Sequence, residues 1–270
     1  MKTKEKTKNY LYSVLLDFLK AIPAGVCIAI GGLAYLSCVN KIVGALFFTI
    51  GLFTILTFNF NLFTGKVCYA FENKPKYIFN LFGIWCGNLV GSVCVGLFLR
   101  LTRLSSLTEK CLSIANIKLA DSLASVFILA VLCNVLIFVA VHGFKNFKGE
   151  LVRALALFFG VSVFVLCGFE HCVANMFYFT FAGVWSFKTF GYLLIMTLGN
   201  ICGGILAWAV AKGCAVKLKN ENCQTDNETG AKVKPGKLTH ETKVEATETN
   251  LGENEDATAV AELTQENDNK

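Results

Sequence analysis

Five stretches of this sequence carry no Lys, Arg, Asp or Glu over the length of a bilayer crossing: 21–40, 42–65, 77–99, 122–144 and 189–211. A sixth, 154–187, is interrupted only by Glu170. A helix needs about 20 mostly apolar residues to span the hydrocarbon core, so the windows predict an all-α membrane protein with six crossings. An even number puts both termini on one side. Charged residues make up 16% of the chain, against about 25% in a soluble domain. Residues 1–212 hold 18 Lys and Arg against seven acids, and 213–270 hold seven Lys against twelve acids. A body so poor in charge cannot cover a water-facing surface, which argues against a soluble enzyme, a disulfide-stapled secreted domain and a nucleic-acid binder.

Orientation follows the basic residues near the crossing ends. One side carries Lys2, Lys4, Lys6, Lys8, Lys74, Lys76, Lys145, Lys148, Arg153, Lys212, Lys217 and Lys219. The other carries Lys41, Arg100, Arg103, Lys110, Lys118 and Lys188. The larger set places both termini in the cytoplasm of a multi-pass cell-membrane protein. Within 1–20, Leu11, Val14, Leu15, Phe18 and Leu19 recur at helical spacing, which predicts a short amphipathic helix on the cytoplasmic interface. Residues 21–212 form the six-helix transmembrane domain. From 213 onward Thr, Glu, Asn and Lys dominate; such a tail buries too little to offset its ordering entropy and reads as disordered. His240 lies in it and is given no role.

The twelve Cys include no C-x-x-C pair and mostly sit inside apolar runs, as small buried hydrophobes do. No metal or other cofactor is expected.

Two segments match between the halves. Gly87-Asn88-Leu89-Val90-Gly91 falls in the third crossing and Gly199-Asn200-Ile201-Cys202-Gly203 in the sixth, 112 residues apart. Three crossings per half force opposite orientations, so the match predicts two inverted three-helix repeats with a site at the midplane; plain Gly-x-x-x-Gly packing is the alternative. The same offset sets Phe63-Thr64 against Asn175-Met176. Near those positions, 57–66 and 167–175 put Asn59, Asn61, Glu170 and His171 at membrane depth. Polar groups survive there on unbroken helices that pair them internally, or at helix breaks facing protein or water.

The string Gly168-Phe169-Glu170-His171-Cys172-Val173-Ala174-Asn175-Met176 resembles the formate/nitrite transporter family, with support from Leu62-Phe63-Thr64-Gly65, Asn134 and Gly199-Asn200. The resemblance covers residues 10–212. It implies a homopentamer of aquaporin-like protomers in the lipid bilayer, with crossings two and five broken and a separate pore in each protomer. The cargo would be a small monovalent weak-acid anion: formate first, with nitrite, hydrosulfide or lactate as alternatives. It also implies that His171 is the central pore histidine and Thr64 its hydrogen-bond partner. Phe48, Leu52 and Phe63 would form one apolar constriction and Phe164 the other. Asn134 and Asn200 would line the pore, and Lys118 would sit near it and interact with Glu170. Asn61, Lys66 and Cys172 depart from the family's usual residues.

These residue types suit the task. A bare anion is costly to strip of water, its neutral acid much less so. A vestibule cation such as Lys118 concentrates the anion, amides and Thr64 substitute for water, and an imidazole titrates near neutral pH. His171 is therefore expected to assist protonation of the permeant, as proton donor or as an electrostatic aid to proton uptake from bulk water. Duller roles stay open: Thr64 bonding its own helix, Asn134 and Asn200 as interhelical glue, Lys118 with Glu170 as a structural pair, and the Phe residues as packing. His142 and Lys66 are expected near helix ends, reaching water. A membrane-embedded enzyme has only the Glu170-His171 pair to recommend it, without a nucleophile motif. A scaffold that binds partners through its tail leaves that pair unexplained.

Overall fold

The computed structural model describes residues 2–228. Among them the chain is helical, with no strand. In order the helices are α1 (Lys2–Ser37), α2 (Lys41–Thr57), α3 (Phe63–Val67), α4 (Tyr77–Arg100), α5 (Thr108–Ala120), α6 (Leu123–Asn146), α7 (Glu150–Cys167), α8 (Cys172–Ala182) and α9 (Phe187–Glu228). Five stretches are long and apolar enough to cross a membrane: Tyr10–Ser37, Tyr77–Arg100, Leu123–Asn146, Glu150–Cys167 and Phe187–Ala215. The window 42–65 is not one helix but α2 and α3, separated by a short extended link. The window 154–187 is likewise divided into α7 and α8.

The surface is inverted relative to a water-soluble protein. Thr64, Asn88, Asn134 and Asn200 are fully buried, while Phe79, Phe82, Phe98 and Phe159 stand more than 60% exposed. Polar groups inside and phenylalanines outside fit a body whose surroundings are apolar.

The separate interfacial helix expected within 1–20 does not occur: α1 runs unbroken from Lys2 through Pro23 to Ser37. Nothing between Tyr10 and Ala21 stops a helix, and Pro23 removes only one donor. In the turn before it, the Lys20 and Ala21 carbonyls accept from Asn61 N and Asn88 Nδ2. The apolar stripe divides, with Leu11, Leu15 and Leu19 exposed and Val14 and Phe18 against α4 at Gly83 and Gly87.

At the other end α9 continues to Glu228, so 213–228 prolongs a helix already nucleated rather than leaving it at Lys212. The remainder of the expected tail, 229–270 with His240, lies outside the described residues. The basic stretch 100–120 is also ordered: after a 3-10 turn at Arg103–Leu107, α5 packs on α8 and buries Cys111 and Ala115.

Close helix contact depends on glycine at two matched places. Gly87 meets the Phe18 carbonyl and Ala21 of α1, and Gly199 meets the Phe127 carbonyl and Ala130 of α6. A Cβ at either would strike backbone.

Candidate functional site

The two helix breaks are built alike. α2 ends where Asn59 takes φ 53° and α7 where Gly168 takes φ 73°, the left-handed region that Gly adopts freely and Asn tolerates. Beyond each, Phe60 N donates to Ile55 O and Phe169 N to Phe164 O, both at 2.9 Å, closing the helix with the 6→1 bond of a Schellman motif. The next helix then starts against one buried asparagine. Asn88 Oδ1 accepts from Phe63 N at 2.8 Å, and its Nδ2 donates to Ala21 O and Asn61 O. Asn200 Oδ1 accepts from Cys172 N at 2.9 Å, and its Nδ2 donates to Ala130 O and Glu170 O.

Each asparagine therefore saturates backbone groups that the break releases. Phe63 thus matches Cys172, not Asn175. The spacing to the asparagine is 25 residues in the first half and 28 in the second, so a single offset of 112 cannot align both features.

His171 and Thr64 meet between the breaks. His171 is the N-cap of α8: its Nδ1 accepts from Ala174 N at 3.1 Å. An imidazole that accepts at Nδ1 while neutral carries its proton on Nε2. That atom lies 2.9 Å from Thr64 Oγ1, so Nε2–H donates to the hydroxyl. Both side chains are buried, His171 at 1% exposure. Phe164 stacks on the imidazole, with centroids 5.6 Å apart and planes at 17°, and Phe48 meets Phe164 edge-on at 5.8 Å.

Two cavities border this cluster or its chain neighbours. The smaller, about 60 Å³, is bordered by Phe48, Phe164, His171, Lys118 and Asn175. The larger, about 310 Å³, is bordered by Leu52, Gly65, Lys66, Tyr69, Tyr77 and Lys145. Along α2, Phe48 faces the first cavity and Leu52, one turn later, the second. Phe48 therefore groups with Phe164, not with Leu52 and Phe63 as the resemblance implied. Phe63 borders a third cavity with Val67, Trp85 and Ile201.

Lys118 Nζ is 2.7 Å from Glu170 Oε2, with side-chain exposures of 11% and 3%. Asn175 Nδ2 donates to the same oxygen at 2.7 Å. Asn134 Nδ2 donates to Thr64 O and Asn200 O, tying α6 to α3 and α9, and its Oδ1 has no partner. Asn200 spends its whole amide on backbone, the interhelical role rather than the lining one. His142 does not simply reach water: it stacks on Phe138 at 4.9 Å and lies 3.2 Å from the Tyr69 hydroxyl.

Residues not singled out as site residues matter as much. Asn88 is one, although the Gly-Asn-x-x-Gly match pointed to it. Another group is Asp17, whose two oxygens accept from Asn61 Nδ2 at 2.9 Å and Asn80 Nδ2 at 2.7 Å. Outside the membrane-spanning helices, Glu72 pairs with Lys212 at 2.9 Å and accepts from Trp208 Nε1. Those two bonds, Lys212 first, hold its carboxyl below the usual carboxylate range.

Residues 2–213 match the family described as formate/nitrite transporter. A probable formate transporter of Methanothermobacter thermautotrophicus is 32% identical, over 72% of this chain and 84% of its own. Formate channel FocB of Escherichia coli is 27% identical over 61% of this chain, and the match spans 66% of FocB. The chain thus covers just under two thirds of FocB's length. A solved structure described as a pentameric formate channel with formate bound superposes with a TM-score of 0.64 at 25% identity, covering 77% of this chain and 98% of the other.

Proposed function

The chain belongs to the formate/nitrite transporter family, and from that premise we propose that it is a transmembrane channel, not an enzyme, for a small monovalent weak-acid anion. Formate is the first candidate, because similar proteins are named as formate channels and one was solved with formate bound. Nitrite, hydrosulfide and lactate are the competing cargoes. The carrying observation is the buried Thr64–His171 pair where two helix breaks meet, with one cavity bordered by His171 and another by Gly65, the neighbour of Thr64.

Six crossings in two inverted repeats are supported by the paired asparagine clamps and paired helix ends, with α2–α3 and α7–α8 each counted as one crossing. Assembly as a homopentamer is supported by the named neighbour and by the exposed apolar helix faces. The excess of Lys and Arg on one set of loops supports a cell-membrane protein with cytoplasmic termini.

The anion enters the smaller cavity, where Lys118 is paired with Glu170 and offers its remaining N–H groups. Phe48 and Phe164 on one side and Leu52 on the other strip its water, which favours the neutral acid over the bare anion. The anion takes a proton from hydronium in the vestibule, leaving water, crosses as the acid, and on the far side gives the proton back to water. At the waist the Thr64 hydroxyl, accepting from His171 Nε2–H, keeps its own O–H free to donate to the permeant in place of lost water. The start of α8 beside them carries partial positive charge, which favours the acid's carbonyl oxygen turned towards it. Because Nδ1 is occupied by the Ala174 N–H, His171 acts here by its Nε2–H bond and its local polarity.

The test is flux of formate, nitrite, hydrosulfide and lactate into proteoliposomes at two pH values, with His171→Asn alongside. Formate entry faster than into empty vesicles, and a changed pH profile in the variant, are expected. Vesicles as tight as empty ones to all four would overturn the reading.

A further inference from the structure

The larger cavity holds two lysines from different helices, Lys66 of α3 and Lys145 of α6. Neither has a carboxylate within 4 Å among the described residues, where the ion pairs are Lys118–Glu170 and Lys212–Glu72. Two acids near the cavity wall are already engaged. Asp17 is held by Asn61 and Asn80, and Glu72 by Lys212 and Trp208. The cavity wall adds hydroxyl and amide groups from Tyr69, Tyr77 and Asn73. It has about five times the volume of the cavity beside His171.

Two uncompensated ammonium groups bordering one partly enclosed space favour a ligand that brings two negative charges, since a monoanion leaves one cation unbalanced. Such a ligand is retained: crossing past Leu52 would require shedding both charges. We infer that Lys66 and Lys145 form a binding site for a small dianion, an inorganic phosphate or short dicarboxylate, which occupies the Leu52-side vestibule and blocks it. The inference rests on the proposed passage only for its blocking consequence; the binding itself does not.

The experiment is calorimetric titration of the purified full chain with inorganic phosphate, malonate and acetate at neutral pH, paired with formate flux in the presence of each. Saturable binding of at least one dianion is expected, at least about tenfold tighter than acetate, the worth of one further charge contact. Phosphate against malonate identifies the source. Lys66→Met and Lys145→Met each weaken that binding about tenfold, while Lys66→Arg retains it and shows that charge rather than misfolding is responsible. Dianions that bind no tighter than acetate, or equally well to both Met variants, overturn the inference. If formate flows but no dianion binds, this site is wrong and the channel stands. If a dianion binds and slows nothing because nothing flows, the site stands and the channel reading fails.

Discussion

Thr64 Oγ1 accepts from His171 Nε2 across 2.9 Å, joining two helix starts that are 107 residues apart in sequence. The opposite imidazole nitrogen caps α8 through Ala174 N, so the ring has one orientation and one neutral tautomer. Thr64→Val keeps the shape and removes the acceptor, leaving a buried N–H at a cost of about 1–3 kcal/mol. A lower melting temperature of the solubilised protein and a several-fold fall in formate flux are expected, with Thr64→Ser close to the parent. Equal behaviour of Val and Ser variants would show that the bond does nothing.

The asparagine clamps give a test of the internal repeat. Asn88→Leu and Asn200→Leu each release one backbone N–H and two carbonyls from their partner at a buried site. Each freed group that finds no other partner costs about 1–3 kcal/mol, so both variants should lose folded yield to a similar degree. Thermal unfolding monitored by tryptophan fluorescence checks this. A large effect in one half and none in the other would argue against equivalent roles.

Much of this was readable from the chain. The low-charge windows pointed to the five helices long and apolar enough to cross a membrane, because lipid excludes charge, and Asn59 and Gly168 fell inside the stretches that looked unlike helix. The pairing of Phe48 with Phe164 was not readable, because it depends on how α2 crosses α7 and apolar side chains carry no directional signal. The register of the repeat was misplaced by a three-residue difference between the halves, visible only through the hydrogen bonds to Asn88 and Asn200. The continuity of α1 past residue 20 was hidden for another reason: the chain there is tied by Asn61 N and Asn88 Nδ2, which are distant in sequence.

Glu170 is buried beside Lys118 and Asn175, which makes it dependent on them. Lys118→Met strands a carboxylate that is 3% exposed, and breaking a buried pair in this way costs about 3–5 kcal/mol. Adding Glu170→Gln removes the stranded charge and should recover most of the loss, since the amide oxygen still accepts from Asn175. A double-mutant cycle on melting temperature reads the coupling. A double variant no more stable than Lys118→Met would contradict the pairing.

Glu72 carries the acid-side pH dependence of the contact between the 70–72 turn and α9. Its folded carboxyl is held below the usual range by Lys212 and Trp208. The stabilisation is therefore complete above the unfolded value of about 4.3 and lost as pH falls through the lower folded value. The pair is well exposed, at 58% and 37%, so solvent screening limits it to about 1 kcal/mol or less. The melting temperatures of the parent and Glu72→Gln should differ slightly at pH 7 and converge below about pH 4. A gap that persists unchanged in acid would show that charge is not its source.

The first break uses an inverted version of the second break's chemistry. Glu170 there is an acid served by a cation and an amide, whereas the matching Asn61 is an amide that donates to the acid Asp17 on α1. Asn61→Asp replaces that donor with an acceptor, so two carboxylates face each other and the tie between α1 and the break is lost. Folded yield and melting temperature should fall. Combining it with Asp17→Asn restores complementarity: the new amide at position 17 donates to the new carboxylate, while its oxygen still accepts from Asn80. The exchange should regain most of the stability that Asn61→Asp removes, whereas Asp17→Asn alone turns two satisfied acceptors into one. Recovery in the double variant would establish Asp17 as the anchor of the first helix break. A double variant as unstable as Asn61→Asp would mean that this position depends on steric fit to α1 rather than on the direction of its hydrogen bond.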